Sequence, residues 1–169
     1  LLSGAIPRSF AAQGPYQATG FKTGEVSDTS AIVWTRLTRN AKSNPPDAPM
    51  VQFRMEDAAK KAGKARQARI IAVEYLDGLT VADIRNAAPG APGEVRVVYK
   101  PADAAEWSQT SWQAVAADRD FTRQFTLHGL KPGTRHLLRI ECRAAEGQPL
   151  GQTLEGRFLT APARETPGR

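Results

Sequence analysis

Cysteine and histidine are scarce in this sequence, and long apolar runs are missing. The 169 residues include one cysteine, Cys142, and two histidines, His128 and His136. A single cysteine excludes an internal disulfide framework and any metal site built from several cysteines. No apolar stretch reaches the length that a membrane-spanning helix requires, so we expect no membrane insertion.

Sequence patterns of catalysis are missing as well. A catalytic metal centre needs several Asp, Asn and His ligands, and no carboxylate near the two histidines in sequence completes such a set. The chain has no Gly-x-Ser-x-Gly elbow and no Walker-type phosphate loop. We therefore predict no catalytic, metal-binding or cofactor-binding residue in this chain.

The composition is that of a globular domain with a basic surface. Hydrophobic residues make up 41% and charged residues 24%, close to the globular average, which is sufficient for a packed core. The formal net charge is +6, from 23 Lys and Arg against 17 Asp and Glu. Because these charges are spread along the chain without interleaved aromatic residues, nucleic acid is not an expected partner.

Alternation of apolar and polar residues predicts short strands along most of the chain, and seven such strands with regular turns predict an all-β antiparallel sandwich. In the second strand, Ile32 and Trp34 are expected on one face, with Trp34 in the core. Arg123 falls in the register of Phe125, which predicts an edge or a bulge at that point. The predicted strands are 20–26, 31–37, 94–100, a weaker one at Trp112 to Val115, 120–127, 135–142 and 154–159.

A corner motif, Leu130-Lys131-Pro132-Gly133-Thr134, lies between the strands 120–127 and 135–142. The motif is typical of fibronectin type III and other Ig-like sandwiches. Such domains usually place Tyr two residues after the Thr, where its hydroxyl bonds back to the upstream backbone. His136 stands at that position here. An imidazole N–H has a shorter reach than a Tyr hydroxyl, so we expect a rearranged corner.

Residues 40–92 interrupt the sandwich pattern, where a short loop would suffice. Alternation at 51–55 and the apolar run at 70–75 predict two strands, and the Ala- and Lys-rich segment 57–67 favours a helix. Thr80 is expected to cap a short helix over 81–85. We interpret the whole stretch as a long insertion of mixed structure within the sandwich.

The insertion carries the one local concentration of charge, a basic cluster. One hypothesis is an anion contact for a substrate phosphate, an acidic partner surface or nucleic acid. The other hypothesis, which we favour, is a helix face kept soluble by lysines. The cluster consists of Lys60, Lys61, Lys64, Arg66 and Arg69.

Two separated stretches resemble the N-terminal domain of alkaline phosphatase D-like (PhoD-like) metallophosphoesterases. The first runs from Gly20 through a Thr/Ser/Asp turn to Trp34-Thr35-Arg36-Leu37. The second starts at Asp120, includes the corner motif and ends at Thr160-Ala161-Pro162, where the first domain of the family typically ends. The resemblance covers about two thirds of the chain.

The resemblance implies a non-catalytic domain of an exported phosphomonoesterase or phosphodiesterase. In this family a metallophosphatase domain follows the sandwich and carries the catalytic residues, so no catalytic position is transferred onto this chain. The implied partner is that C-terminal domain of the same polypeptide, and the implied divalent, iron or calcium ions belong to it. The small-x-small pattern Ser9-Phe10-Ala11 fits an exported protein.

Three parts are predicted along the chain: an N-terminal arm over 1–16, a sandwich domain over 17–161, and a linker over 162–169 toward a catalytic domain. The linker assignment depends on the polar, proline-bearing composition of the last residues. An alternative stays open, in which the chain is a stand-alone module that binds a polyanion or a glycan. For that alternative, Trp107 and Trp112 are either packed at the rim or exposed.

Overall fold

Ten β-strands supply most of the regular structure in this computed structural model, which describes residues 14–57 and 68–163. One turn of 3₁₀ helix spans Ala117–Arg119. None of the described helical segments has the length and apolar character of a membrane span. The strands are β1 (Phe21–Gly24), β2 (Ser30–Arg36), β3 (Gln52–Asp57), β4 (Ala68–Glu74), β5 (Gly93–Pro101), β6 (Ser108–Gln109), β7 (Gln113–Val115), β8 (Thr122–His128), β9 (Arg135–Arg143) and β10 (Leu154–Leu159).

Two antiparallel sheets form the sandwich. One has the strand order β1-β2-β8, and the other has the order β10-β9-β5-β6 with β7 also paired to β5. All of these neighbouring strands run antiparallel. The predicted all-β sandwich is therefore confirmed, and the predicted strand ends differ from the observed ones by at most two residues.

The core lies between the two sheets and is filled by every second residue of each strand. Val33 of β2, Val95 and Val97 of β5 and Ile140 of β9 have no exposed surface. Burying one aliphatic side chain of this size stabilises a fold by about 1.5–3 kcal/mol. The inward face of β9 is buried at all four of its positions: His136, Leu138, Ile140 and Cys142.

Trp34 is not a core residue, contrary to the sequence-based prediction. The inward face of β2 consists of Ala31, Val33 and Thr35, each fully buried. Ile32 and Trp34 share the opposite, half-buried face of the three-stranded sheet. Because both faces of this strand carry apolar side chains, alternation alone did not determine which face is inside.

The strand β8 is regular, so the predicted bulge at Arg123 is wrong and the edge alternative holds. Its register with β2 is continuous from Ser30 opposite His128 to Arg36 opposite Thr122. The half-buried guanidinium of Arg123 donates to Oε1 of Gln113 at 2.6 Å. This hydrogen bond gives a polar partner to the guanidinium of Arg123, which shares a face of β8 with the buried Phe125.

Residues 43–89 form a second compact unit. It contains the antiparallel hairpin β3–β4, whose register shifts between Arg54 and Met55. The strands predicted at 51–55 and 70–75 are confirmed as β3 and β4. The helix predicted over 57–67 lies outside the described residues, except that Asp57 ends β3. The amide of Asn44 ties the unit together by donating to the carbonyls of Ala82 and Ile84.

The short helix predicted over 81–85 is a series of turns instead. Thr80 does bond locally, since its hydroxyl accepts the Ala82 N–H at 3.2 Å and donates to the Asp83 carboxylate at 2.7 Å. The backbone then makes only single-turn bonds, such as Asp83 N–H to the Thr80 carbonyl. Asn86, directly after the segment, adopts a left-handed φ of 62°, a conformation that does not continue a right-handed helix.

We predict that Gly156 of β10 does not tolerate a side chain. A Cβ atom placed there would lie 2.3 Å from the ring of Phe21, which packs onto the core from the other sheet. We expect Gly156→Ala to lower the free energy of unfolding by about 1–3 kcal/mol in urea titrations, because the ring must move. Gly24→Ala is the matched control, since nothing lies within 4 Å of its Cβ position. Equal stability of the two variants would contradict the prediction.

Candidate interaction surfaces

The predicted anion contact falls almost entirely outside the described residues. Lys60, Lys61, Lys64 and Arg66 lie in the segment 58–67, of which the structure describes nothing. Arg69 belongs to the strand β4, and only its place in that strand is described. The basic cluster therefore stays a prediction.

The corner motif and the segment 160–162 are bonded directly to each other. The buried hydroxyl of Thr160 accepts the Thr134 N–H at 2.9 Å and donates to the Lys131 carbonyl at 2.6 Å. Two backbone bonds run alongside, from Thr160 N–H to the Thr134 carbonyl and from Gly133 N–H to the Ala161 carbonyl. Gly133 has a φ of 56°, a conformation that favours glycine at this turn.

The turn between β1 and β2 joins the same arrangement. The Leu130 N–H donates to the Thr29 carbonyl and the Ala161 N–H donates to the Ser27 carbonyl, both at 3.0 Å. The hydroxyl of Ser27 accepts the Ser30 N–H at 2.9 Å, which fixes the turn itself. We call this set of bonds the end junction, because it joins residues 27–30, 130–134 and 160–162 at one end of the sandwich.

His136 takes the place of the expected Tyr and bonds back over a shorter distance along the chain. Its Nδ1 lies 3.0 Å from the carbonyl of Thr134, only two residues upstream. Because a carbonyl oxygen only accepts, Nδ1 carries the hydrogen in this bond. The imidazole is buried and stacks on Phe158 with ring centroids 5.1 Å apart. The corner is thus anchored without a Tyr.

A buried polar network ties the segment before β1 to the second sheet. The Gln17 amide donates to the carbonyls of Ile140 and Gln152, and its Oε1 accepts the hydroxyl of Thr35 at 2.9 Å. The thiol of Cys142 lies 3.2 Å from the carbonyl of Pro15. Sequence patterns did not reveal this network, because a Gln in an irregular segment gives no periodic signal.

The outer face of the five-stranded sheet holds charged side chains in register. Three ion pairs cross it, Arg143 with Glu94 at 2.6 Å, Arg96 with Glu141 at 2.7 Å and Arg139 with Glu155 at 3.0 Å. Each pair joins residues that are opposite or nearly opposite on neighbouring strands. All three acidic side chains of this face are engaged in these pairs.

Two tryptophans from the connection between β5 and β7 pack on these cations. The guanidinium groups of Arg96 and Arg143 lie 4.6 and 4.3 Å from the Trp112 ring centroid. Arg139 and Lys100 lie 4.6 and 5.1 Å from the Trp107 ring centroid. These are cation–π distances, so the rim-packing alternative holds for both half-buried tryptophans.

Neither histidine contributes to a metal centre in the described part of the chain. His128 is exposed at the end of β8, whereas His136 is buried against Phe158. No group of three or more His, Cys, Asp or Glu residues within 14–57 and 68–163 is arranged to hold a metal ion.

No protein-family model matches this sequence, and no curated protein matches it. Solved structures do match. A structure of PhoD is 14% identical with a TM-score of 0.47, and the match covers 94% of this chain but only 21% of that one. The fn3 domain of human collagen alpha-1(XX) is 17% identical with a TM-score of 0.42, covering 99% and 94% of the two chains. The sensor domain of the anti-sigma factor RsgI4 of Pseudobacteroides cellulosolvens is 13% identical, with a TM-score of 0.42 and coverage of 85% and 93%.

The strand order of the molecule itself assigns the type of sandwich. In the lettering of Ig-like domains, β1, β2 and β8 correspond to strands A, B and E, and β10, β9, β5 and β6 to G, F, C and C′. The fold is that of a fibronectin type III-like domain. The fibronectin-like corner therefore lies where that fold requires it, between strands E and F.

We predict a pH-dependent contribution of Cys142 to stability. Burial raises the pKa of its thiol to about 11 from an ordinary value of 9.0. The folded chain thus keeps a proton that the unfolded chain releases above pH 9, so this contribution is complete below pH 9 and is lost as the pH rises toward 11. Between pH 8 and 10.5, the free energy of unfolding should fall more in the parent chain than in Cys142→Ala. An equal fall in both would contradict the raised pKa.

Proposed function

We propose that this chain is the non-catalytic N-terminal sandwich of an exported alkaline phosphatase D-like phosphomonoesterase or phosphodiesterase. Its role would be to position the metallophosphatase domain that follows in the same polypeptide. The metal ions and the catalytic residues belong to that following domain in this proposal. The proposal of export rests on the family resemblance and on the Ser9-Phe10-Ala11 pattern.

The end junction is the observation that carries the proposal. The stretches that resemble the family are far apart in sequence, yet the turn 27–30, the corner 130–134 and the segment 160–162 are hydrogen-bonded to one another. The family's first domain typically ends at the Thr-Ala-Pro that this junction holds. A domain that continues from such a point would begin directly beside the end junction, which is what a positioning domain requires.

The surface around this point suits a covalently connected neighbour. A cavity lies between the turn that follows β1 and the residues after β10, and it is open on one side to solvent. Its walls are formed by Val26, Ser27, Asp28, Ala161 and Pro162. Because these residues flank the outgoing chain, a following domain would meet this surface without a long linker.

The packing of the tryptophans argues against the glycan form of the alternative, in which the chain is a stand-alone module that binds a sugar. Sugar-binding sites use the flat faces of aromatic rings, and here Trp107 and Trp112 each present a face to two cationic side chains. Those faces are not free to stack on a sugar ring. The anionic form of the alternative does not depend on the tryptophans.

An activity assay tests the absence of catalysis in this chain. We expect the purified chain to give no hydrolysis of p-nitrophenyl phosphate or its bis-ester above the metal-only rate, with Mg²⁺, Mn²⁺, Ca²⁺ or Fe³⁺ added. Turnover that co-purifies with the folded chain would contradict the proposal.

The source gene tests the presence of the following domain. We expect the reading frame to continue beyond Arg169 into a region rich in Asp, Asn and His metal-ligand motifs. A stop codon directly after Arg169 would instead favour the stand-alone module.

A further inference from the structure

The cationic side chains on the outer face of the five-stranded sheet are distributed between one half of the face that holds acidic partners and another half that does not. The face carries six cationic and three acidic side chains from β5, β9 and β10. The acids Glu94, Glu141 and Glu155 neutralise the half of the face toward the end of β9. The other half carries the remaining three cations, which are Lys100, Arg135 and Arg157.

These three cations surround one apolar residue, Leu137. Lys100 of β5 and Arg157 of β10 are its register partners on either side, so the two lie about two strand spacings, or roughly 10 Å, apart. Arg135 precedes Leu137 by two residues on the same face of β9 and is exposed. We call Lys100, Arg135 and Arg157 the cation triangle.

No ion pair neutralises the cation triangle within residues 14–57 and 68–163. Lys100 is held in place by donating to the Ala104 carbonyl at 2.7 Å and by lying over the Trp107 ring, neither of which removes its charge. Asp103 and Glu106 are on the neighbouring connection and lie beyond ion-pair distance of all three cations. The roughly 10 Å between Lys100 and Arg157 is about one Debye length at 0.1 M salt, so the three cations act together on an anion most strongly at low salt.

A cavity of about 110 Å³ lies next to the cation triangle. Its walls include the ring of Trp107, the side chain of Leu137, and Arg139 with its partner Glu155. Gly156 of β10 also lines the cavity. The three cations do not line this cavity, but Leu137, which lies between them, does, so the triangle borders a depression in the face.

We propose that the cation triangle binds a polymer carrying phosphate or sulfate groups. Three uncompensated cations on a flat sheet face attract several anionic groups at once, and both guanidinium groups match the oxygens of a phosphate or sulfate in bidentate geometry. A single small anion neutralises only part of a cluster this wide, which favours a repeating anion. This site differs from the basic cluster at 60–69, and it does not depend on the proposed role in a larger enzyme.

The experiment uses the whole chain and two probes, inorganic polyphosphate and a heparin oligosaccharide, in 50 mM salt. We expect saturable binding of at least one probe, reported by a change in tryptophan fluorescence. Arg135→Glu/Arg157→Glu should weaken that binding by about tenfold or more and reduce its salt dependence. The probe that binds more tightly identifies phosphate or sulfate as the preferred group.

Two control variants with the same change of charge make the result specific. Lys22→Glu/Arg39→Glu changes exposed residues elsewhere on the sandwich unit, and Lys60→Glu/Lys64→Glu changes the basic cluster. Both should bind within about twofold of the parent chain, and circular dichroism should show that all variants fold. The proposal is overturned if neither probe binds, if Arg135→Glu/Arg157→Glu binds like the parent chain, or if a control loses as much affinity.

Discussion

The hydroxyl of Thr160 bonds to two backbone groups of the corner, and the arrangement of one whole end of the sandwich depends on that contact. It accepts from Thr134 and donates to Lys131, while the neighbouring amides of Gly133 and Ala161 extend the bonding to the turn at Ser27. The Thr160 side chain is buried, and a buried polar group left without a hydrogen-bond partner costs about 1–3 kcal/mol. The last strand, the E–F corner and the first hairpin turn therefore hold each other in place.

Much of this structure was predictable from the sequence, for reasons that individual residues show. Apolar residues recur at every second position around Val95, Val97 and Ile140, so the strands 94–100 and 135–142 are predicted correctly, although Val98 and Leu137 interrupt the alternation with charged residues. Trp34 was placed on the wrong face because Ala31 and Val33 are also apolar and alternate with it. The segment after Thr80 has the local hydrogen bonds of a helix cap, but only turns follow before the left-handed Asn86.

The interaction surfaces were less predictable, because they depend on which strands become neighbours. The corner motif and Thr160-Ala161-Pro162 are each recognisable in the sequence. No local sequence pattern indicates that the Thr160 side chain joins them. The stacking of Trp107 and Trp112 on arginines depends on the pairing of β5 with β9. The cation triangle likewise forms only when three strands pair with one another. Runs of charge along the sequence therefore indicate the basic cluster at 60–69 but not the triangle.

The unfolding free energy of a Thr160→Val variant tests the central claim most directly, because valine keeps the shape of threonine and removes both bonds of the hydroxyl. The account predicts a loss of about 1–3 kcal/mol relative to the parent chain in urea titrations. Thr126→Val, at an exposed position of β8, is the matched control and should change stability by no more than about 0.5 kcal/mol. A Thr160→Val variant as stable as this control would contradict the account.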